Sequence, residues 1–592
     1  MLKGAPPELT APEAFQLGLQ HQRAGQMEQA EAAYRNAIVL DPGHAEAHNN
    51  LGNALHALGR TAQAIAHYRR TLELRPRSAA VLDNLGKALG VLGEAIEAEQ
   101  CIRQAIECDP GYAEAHNDLG KLLQDRGALD EAADSYQTAC ALKPDQAAAH
   151  FNLANMLFSF GRLEEAEQGY RRAVALDPGH AASQSNLAFM LNYLPGASAA
   201  DIFAEHLRFA RRFCATAPLP PHGDARVASR RLRLGYVSGD LRNHAVAFFI
   251  EPVLASHDHD QFEVFCYYSY PESDAVTARL KRHADHWRDV FALDDEALAA
   301  SIRKDSIDIL VDLSGHTIHN RLLAFSRKPA PVQVTWLGYL NTTGLEAMDY
   351  RITDAQATPR GVLDTLHTER LVRLPDTQWC YRPPEPCPGL SPPPSVRAGT
   401  VTFASLANLS KISNRMLELW GQLLGVLPRS RLVIASAILD RIPAEYAARC
   451  ARHGIDRTRL ELKGKAPLSE YLELHSMADV MLDTHPYSSG ATACHSLWMG
   501  VPIVTLAGET ATSRSATTLL NAVGLNDLVS SSPGQYLDIA AGLATDAERL
   551  AALRMGMRER MRASALMDEL RFTRNLENSY REMWRALCQN RR

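Results

Sequence analysis

ADVMLDTHPYSSGATACHSLWMGVPIVTLAGE, residues 478–509, carries the pattern that decides the fold. Val480–Leu482 is a short apolar run suited to a buried parallel strand. Asp483 and Thr484 close it, and Pro486 bars its continuation because proline has no amide hydrogen for the ladder. Ser488, Ser489, Gly490, Ala491 and Thr492 follow, all small. Ala493–Met499 reads as a helix, Gly500-Val501-Pro502 stops it, and Ile503–Leu506 starts a second strand. Strand, small-residue loop, helix, strand is the unit of a parallel α/β sheet.

The loop has a chemical use. The first N–H groups of a helix lack intrahelical partners and carry partial positive charge. Small residues let a phosphate reach them, and hydroxyls add donors. The stretch therefore fits a seat for the diphosphate of a nucleotide-linked donor, although an ordinary βα loop has the same parts.

Working outward, the alternation extends in both directions. RLRLGYVSGD from Arg231, FEVFCYY (262–268), IDILVDLSG (307–315) and VQVTWLGY (332–339) read as strands of one lobe, residues 230–381. RPPEPCPGLSPPPSVRAG (382–399) reads as a linker, since so much proline and glycine suits no regular element. TVTFASL (400–406), RLVIAS (431–436), RLELKG (459–464), VMLD (480–483) and IVTLAG (503–508) give a second lobe, residues 400–545, with helices over 416–427, 443–453 and 468–478. Open α/β sheets bind ligands at the carboxyl ends of their strands, so a cleft between two such lobes is the expected site. Residues 546–592 read as a helical tail anchored by Trp584.

The N-terminal third has another period. Pro42, Pro76, Pro110, Pro144 and Pro178 are each 34 residues apart. Gly18, Gly52, Gly86, Gly120 and Ala154 align in the same register, as do Tyr34, Tyr68, Ile102, Tyr136 and Tyr170. Such marks at a 34-residue period resemble the tetratricopeptide repeat, predicting an α-solenoid over residues 11–200. Small residues let the two helices of a repeat approach, the aromatic is expected to fill the gap to the next repeat, and proline ends the second helix. A further column holds Gln16, Asn50, Asn84, Asp118, Asn152 and Asn186. Asn50, Asn84, Asn152 and Asn186 are candidates for a groove that holds an extended polypeptide, because an amide both donates to and accepts from a backbone. The same amides could instead bond neighbouring repeats.

Composition narrows the classes. The 592 residues allow three or four domains, and 46% hydrophobic with 22% charged is ordinary for globular protein. A net charge of −6 gives no reason to expect nucleic-acid binding. Ten cysteines without a CxxC pair argue against disulfides and zinc. The opening MLKGAPPELTAPEAF lacks the apolar core of a signal peptide, and no run reaches the length of a membrane span. A cytoplasmic protein without membrane contact is expected.

Repeats followed by two such lobes, with DLRNHAVAFFIEP (240–252), IDILVDLSGHT (307–317), PAPVQVTWLGYLNTTG (329–344), MDYRITD (348–354), FASLANLSKI (403–412), LDTHPY (482–487) and LWMGVPIVTLAGE (497–509), resemble the O-GlcNAc transferase and SPINDLY family of protein glycosyltransferases. The wording of 307–317 and 329–344 is nearer the SPINDLY branch, which includes enzymes using GDP-fucose, whereas the other branch uses UDP-GlcNAc. The resemblance implies a GT-B fold and inverting transfer of a sugar to Ser or Thr hydroxyls of proteins held in the repeat groove. It implies no metal and no cofactor beyond the donor substrate, UDP-GlcNAc or GDP-fucose. The chain shows no cluster of carboxylates or histidines at ligand spacing.

The resemblance also carries roles onto residues. Lys411 matches the lysine that binds the leaving diphosphate, and an ammonium there would stabilise charge that grows in the transition state. His244 matches an active-site histidine that meets the acceptor or the sugar. Asn408, Ala466, Tyr471, Ser489, Gly490, Ala491 and Thr492 match positions around the nucleotide-sugar, and Leu337-Gly338 matches the segment at the transferred sugar. Two departures stand out. The family's threonine-rich run is thinned to Ser489-Gly490-Ala491-Thr492-Ala493, and His495 stands where an acidic residue meets the ribose. A protein O-glycosyltransferase is the first reading; a repeat scaffold that only binds partners and an asparagine glucosyltransferase are the alternatives.

Overall fold

The computed structural model describes residues 9–214 and 227–589. The first eight residues, part of the opening read above, and the last three of the tail lie outside the described residues. The chain forms two compact units.

The first unit comprises residues up to Leu157 with Gln168–Pro178. It is built of antiparallel helix pairs, beginning Ala11–Arg23 with Met27–Leu40, then Ala45–Ala57 with Thr61–Leu74, Ala79–Val91 with Ala95–Cys108, and Ala113–Asp125 with Leu129–Leu142. A Cβ placed on Gly18 would sit 2.4 Å from the Tyr34 ring, and one on Gly52 2.5 Å from the Tyr68 ring. The aromatic therefore covers the glycine of its own repeat, and Tyr34 also reaches Asn50 and clusters with Leu51 of the next. Where the column changes to Ala154, the facing helix supplies Gly169, whose added Cβ would lie 2.9 Å from that of Ala154. Close approach is preserved by moving the missing methyl to the other helix.

The second unit comprises Phe158–Glu167 and the chain from Gly179 onward. It holds two all-parallel sheets. The first contains β1 (Leu232–Ser238), β2 (Phe262–Tyr268), β3 (His286–Asp289), β4 (Ile309–Asp312), β5 (Val332–Thr335), β6 (Tyr350–Asp354) and β7 (Arg370–Leu374), in the order β3-β2-β1-β4-β5-β6-β7. The second contains β8 (Thr402–Ser405), β9 (Arg431–Ala435), β10 (Leu460–Lys463), β11 (Val480–Leu482), β12 (Ile503–Leu506) and β13 (Val529–Ser530), in the order β10-β9-β8-β11-β12-β13. The order reverses beside β1 and beside β8, so each sheet has a crevice at the carboxyl ends of its central strands.

Helices Ala181–Leu191 and Ala199–Phe213 pack on the first sheet's loops. Asn192 Nδ2 donates to Tyr339 Oη at 2.8 Å, and Ser185 Oγ lies 2.9 Å from His316 Nδ1. The Pro-rich stretch 382–399 includes a short helix, Pro394–Ala398, a correction to the reading of a bare linker. It is pinned by the buried Arg554, whose Nη1 also donates to Ala478 O at 2.7 Å and whose Nε meets Ser391 O at 2.5 Å. The tail's last helix, Glu569–Gln589, returns to the first lobe, where Trp584 is 2% exposed and Glu577 bonds His257 at 2.8 Å. Among the described residues no helix is long and apolar enough to cross a membrane.

Candidate active site between the two sheets

One central strand of each sheet, β4 and β11, delivers a carboxylate to its carboxyl end, Asp312 and Asp483. In the second sheet, Asp483 follows β11 and accepts Ser488 Oγ at 2.6 Å, Ser489 N at 2.9 Å and Thr505 Oγ1 at 2.6 Å. Ser488 Oγ in turn accepts Ala516 N at 2.9 Å. The loop is thus held by buried polar bonds before any ligand arrives. Gly490 opens helix Ala491–Trp498, and no side chain caps that first turn, so its leading N–H groups are left for a ligand.

Lys411 reaches this loop from the short turn after β8. Its Nζ donates to Ser488 O at 3.4 Å and stands 4.6 Å over the Tyr487 ring, which stacks at 4.0 Å on Tyr193. Burial pulls the ammonium down to about 8, with the Asp483 carboxylate opposing the shift. A cation short of solvent beside uncapped N–H groups is a site for a compact anion.

The loop carrying Lys411 is fixed from a second direction. The Arg449 guanidinium, 9% exposed, donates to Ile412 O at 3.1 Å, Asn414 Oδ1 at 2.9 Å and Phe160 O at 3.3 Å. Gly161, with φ +73°, comes so near that an added Cβ would sit 2.5 Å from Leu409 O. A cavity of about 340 Å³ beside these residues, lined by Gly161, Asn414 and Arg449 among others, touches neither Lys411 nor the 488–492 loop.

His495 lies on the seat's own helix, 4% exposed, with both ring nitrogens unpartnered. Phe248 meets its ring edge-on at 4.8 Å and Tyr471 at 5.7 Å. Burial, helped by His475, pushes it down to about 3, so the ring is neutral and offers one donor and one acceptor. Tyr471 is also within hydrogen-bonding reach of Thr492. Tyr471, Thr492 and His495 are therefore brought together.

His244 sits on the first lobe between β1 and helix Ala247–Ser256. Its Nδ1 is 3.6 Å from Asp240 Oδ1, and Val246 N approaches the same nitrogen at 3.4 Å. Desolvation lowers its pKa, Asp240 works against that, and Arg242 adds to it. Phe248, in the first turn of the helix that follows His244, supplies the edge contact to His495 on the seat's helix.

The remaining expected residues fall as follows. Asn408 is exposed, and its carbonyl accepts Lys411 N at 2.9 Å. Ala466 is half-buried in the loop before helix Leu468–Leu474, which carries Tyr471. Leu337 adopts φ +74°, unusual for a residue with a side chain, and an added Cβ on Gly338 would lie 1.9 Å from Leu313 O. That turn is at the carboxyl end of β5. In the repeat column, Asn84 donates to Asn49 at 3.3 Å and Asn152 to Asn117 at 2.9 Å, each a bond to the preceding repeat, while Asn50 accepts from Asn49 at 3.1 Å. Asn186 lies on helix Ala181–Leu191 of the second unit. Asp483, Tyr487 and Asp240 were not among the expected site residues. The signal for Asp483 was present: VMLD at 480–483 repeats ILVD at 309–312, an acid closing a buried apolar run.

The sequence profile of glycosyl transferase family 41 matches residues 211–381 and 395–576, more than half the chain. The chain belongs to this family. Tetratricopeptide profiles match 15–79, 101–133, 125–159 and 147–180. The probable UDP-N-acetylglucosamine–peptide N-acetylglucosaminyltransferase SPINDLY of Oryza sativa subsp. japonica is 39% identical over 406 residues, 67% of this chain and 44% of that protein. The probable enzyme SEC of Arabidopsis thaliana, with the same activity in its name, is 31% identical over 373 residues, 61% of this chain and 38% of that protein. The chain thus spans less than half the length of these curated relatives. A solved structure of a lysine-to-methionine mutant of the Thermobaculum terrenum O-GlcNAc transferase aligns with TM-score 0.81 and 38% identity, covering 87% of this chain and 98% of that one. Helical repeats followed by two parallel α/β lobes are the GT-B architecture of these transferases.

Proposed function

We propose that this family 41 chain transfers a sugar from a nucleoside-diphosphate donor, UDP-GlcNAc or GDP-fucose, to Ser or Thr hydroxyls of acceptor proteins. Lys411 carries the reading. Its ammonium lies beside the uncapped helix Ala491–Trp498, where the bond from the anomeric carbon to the diphosphate would break. Charge gathers on the departing oxygens in that step, and fixed positive groups in a dry site stabilise it more than they stabilise the bound donor. No metal or other cofactor is invoked, because the ammonium and the N–H groups suffice for the charge.

His495 takes the ribose by one donated and one accepted hydrogen bond, the neutral counterpart of a carboxylate that would accept two. Tyr471 stands where a base can stack. His244, near Asp240, meets the incoming hydroxyl or the sugar, and attack from the face opposite the diphosphate inverts the anomeric centre. The asparagine column offers amides to the acceptor backbone.

The test uses labelled UDP-GlcNAc and GDP-fucose with cell lysate and with excess EDTA. Label reaching protein hydroxyls, lost in Lys411→Ala, supports the reading. Transfer that needs Mg²⁺, transfer to asparagine, or no transfer with either donor overturns it. Binding of nucleotide without transfer is the outcome of a scaffold.

A further inference from the structure

Buried polar atoms without partners are uncommon, because each loses its water and gains nothing in return. Among the described residues, several of them gather on the two segments that flank the diphosphate loop: Gln378, Trp379 and Tyr381 after β7, and Ser515 and Thr517 on helix Ser515–Ala522. Trp379 is 4% exposed and Ser515 is 1% exposed. Trp498 Nε1 is unpartnered as well, whereas three other buried indoles are satisfied: Trp336 Nε1 donates to Gln378 O at 3.1 Å, Trp420 Nε1 to Tyr536 Oη at 3.3 Å, and Trp584 Nε1 to Val227 O at 3.2 Å.

The position of these groups is fixed by Gly490. The point where a Cβ of residue 490 would stand is 3.5 Å from Ser515 Oγ and 3.6 Å from Trp379 Cη2, with nothing else within 4 Å. Gly490 therefore leaves a slot whose two walls are a hydroxyl and an indole edge, directly at the first turn of the seat's helix. Phe249 backs the indole at 4.8 Å. The slot's groups are neutral, in contrast to Lys411, which serves the same loop as a charge.

We infer that Trp379 and Ser515 form the hydroxyl-reading wall of the donor's sugar, with the glycine slot admitting a ring substituent between them. Neutral donors and acceptors set beside an aromatic surface suit a glycosyl group, whose hydroxyls need partners and whose C–H faces are apolar; a phosphate would call for charge. The sugar supplies the partner that Ser515 Oγ lacks and lays an apolar C–H face against the Cη2 edge of Trp379. The inference rests on the glycosyl-donor reading above and adds the residues that choose among sugars.

The experiment separates the two. Dissociation constants are measured for UDP, GDP, UDP-GlcNAc and GDP-fucose with the full chain, Trp379→Phe, Ser515→Ala and Gly490→Ala. The last residue has φ −105° and ordinary contact distances, so alanine fits the backbone while filling the slot. The expected result is about tenfold weaker binding of the sugar nucleotide in Trp379→Phe and in Ser515→Ala, with the matching diphosphate unchanged within about twofold in these two variants, and a larger loss of the sugar nucleotide in Gly490→Ala. Equal losses for diphosphate and sugar nucleotide, or no loss in any variant, overturn the inference and leave the donor reading standing. A parent chain that binds neither diphosphate overturns both.

Discussion

Asp312 and Asp483 hold the same station in their two sheets, and the loops beyond them differ. β4 lies between β1 and β5 as β11 lies between β8 and β12. Asp312 accepts Thr335 Oγ1 at 2.8 Å and Ser314 N at 3.0 Å, as Asp483 accepts Thr505 Oγ1 and Ser489 N. In the first sheet the loop is filled from within: the Tyr339 side chain presses on Gly315, and His316 bonds Thr343 O at 3.0 Å. In the second, Gly490 and an uncapped helix follow instead. The catalytic candidates match too, since His244 lies six residues past Ser238 at the end of β1, and Lys411 six past Ser405 at the end of β8. The same scaffold occurs twice. The anion site proposed above falls in the copy whose helix begins at a glycine with no capping side chain.

The largest effect expected is on the cation. Lys411→Met is expected to lower transfer by about a hundred- to a thousandfold, read as labelled sugar on protein, while His244→Ala costs less. Activity within threefold of the parent would remove Lys411 from the comparison. Next come the two carboxylates. Asp483→Asn is expected to weaken nucleoside-diphosphate binding about tenfold, whereas Asp312→Asn leaves it within about twofold and lowers the melting temperature, since each breaks buried charged hydrogen bonds worth roughly 1.5–3 kcal/mol. Titration calorimetry with parallel melts decides, and the reverse pattern would break the equivalence.

A smaller, pH-dependent effect sharpens the contrast. With the Lys411 ammonium held down to about 8, the free protein loses its cation as pH rises through that value. Diphosphate affinity should then fall by up to about tenfold per pH unit above it, and Lys411→Arg should move the fall beyond the measured range. The slightest effect is shared by both lobes. Burial pushes His206 and His475 down to about 4, and His316 well below its ordinary value. These folded values lie under the unfolded one, so their neutral forms stabilise the protein fully above about pH 6.5, and that stability is lost as pH falls toward 4. Melting temperatures from pH 7.5 to 4.5 should decline across this window, less steeply in His206→Gln.

How much was legible beforehand follows from the physics of each part. The repeats were plain because one contact, glycine under an aromatic, recurs at a fixed interval. Central strands such as β4 and β11 were plain because burial on both faces demands an unbroken apolar run. β3 and β7 were missed because they are partly exposed, and HWRD and RLVRL carry charge where a core strand would not; β6 was missed although buried, because YRITD interrupts its apolar residues with charge, and β13 because it is two residues long. Lys411 was found through the phrase around it. Asp483 escaped because its work is done by hydrogen bonds to residues 488, 489 and 505, and only folding brings those together. Trp379 and Ser515 lie 136 positions apart and share a site only through Gly490.

The left-handed turn at Gly161 has a mechanical outcome. A methyl group there would strike the carbonyl of Leu409 and loosen the Arg449 anchor, displacing the ammonium two positions on while every hydrophobic layer stayed packed. Gly161 thus helps to set where the Lys411 ammonium points. Its alteration would be diagnosed as lost turnover out of proportion to a lowered melting temperature.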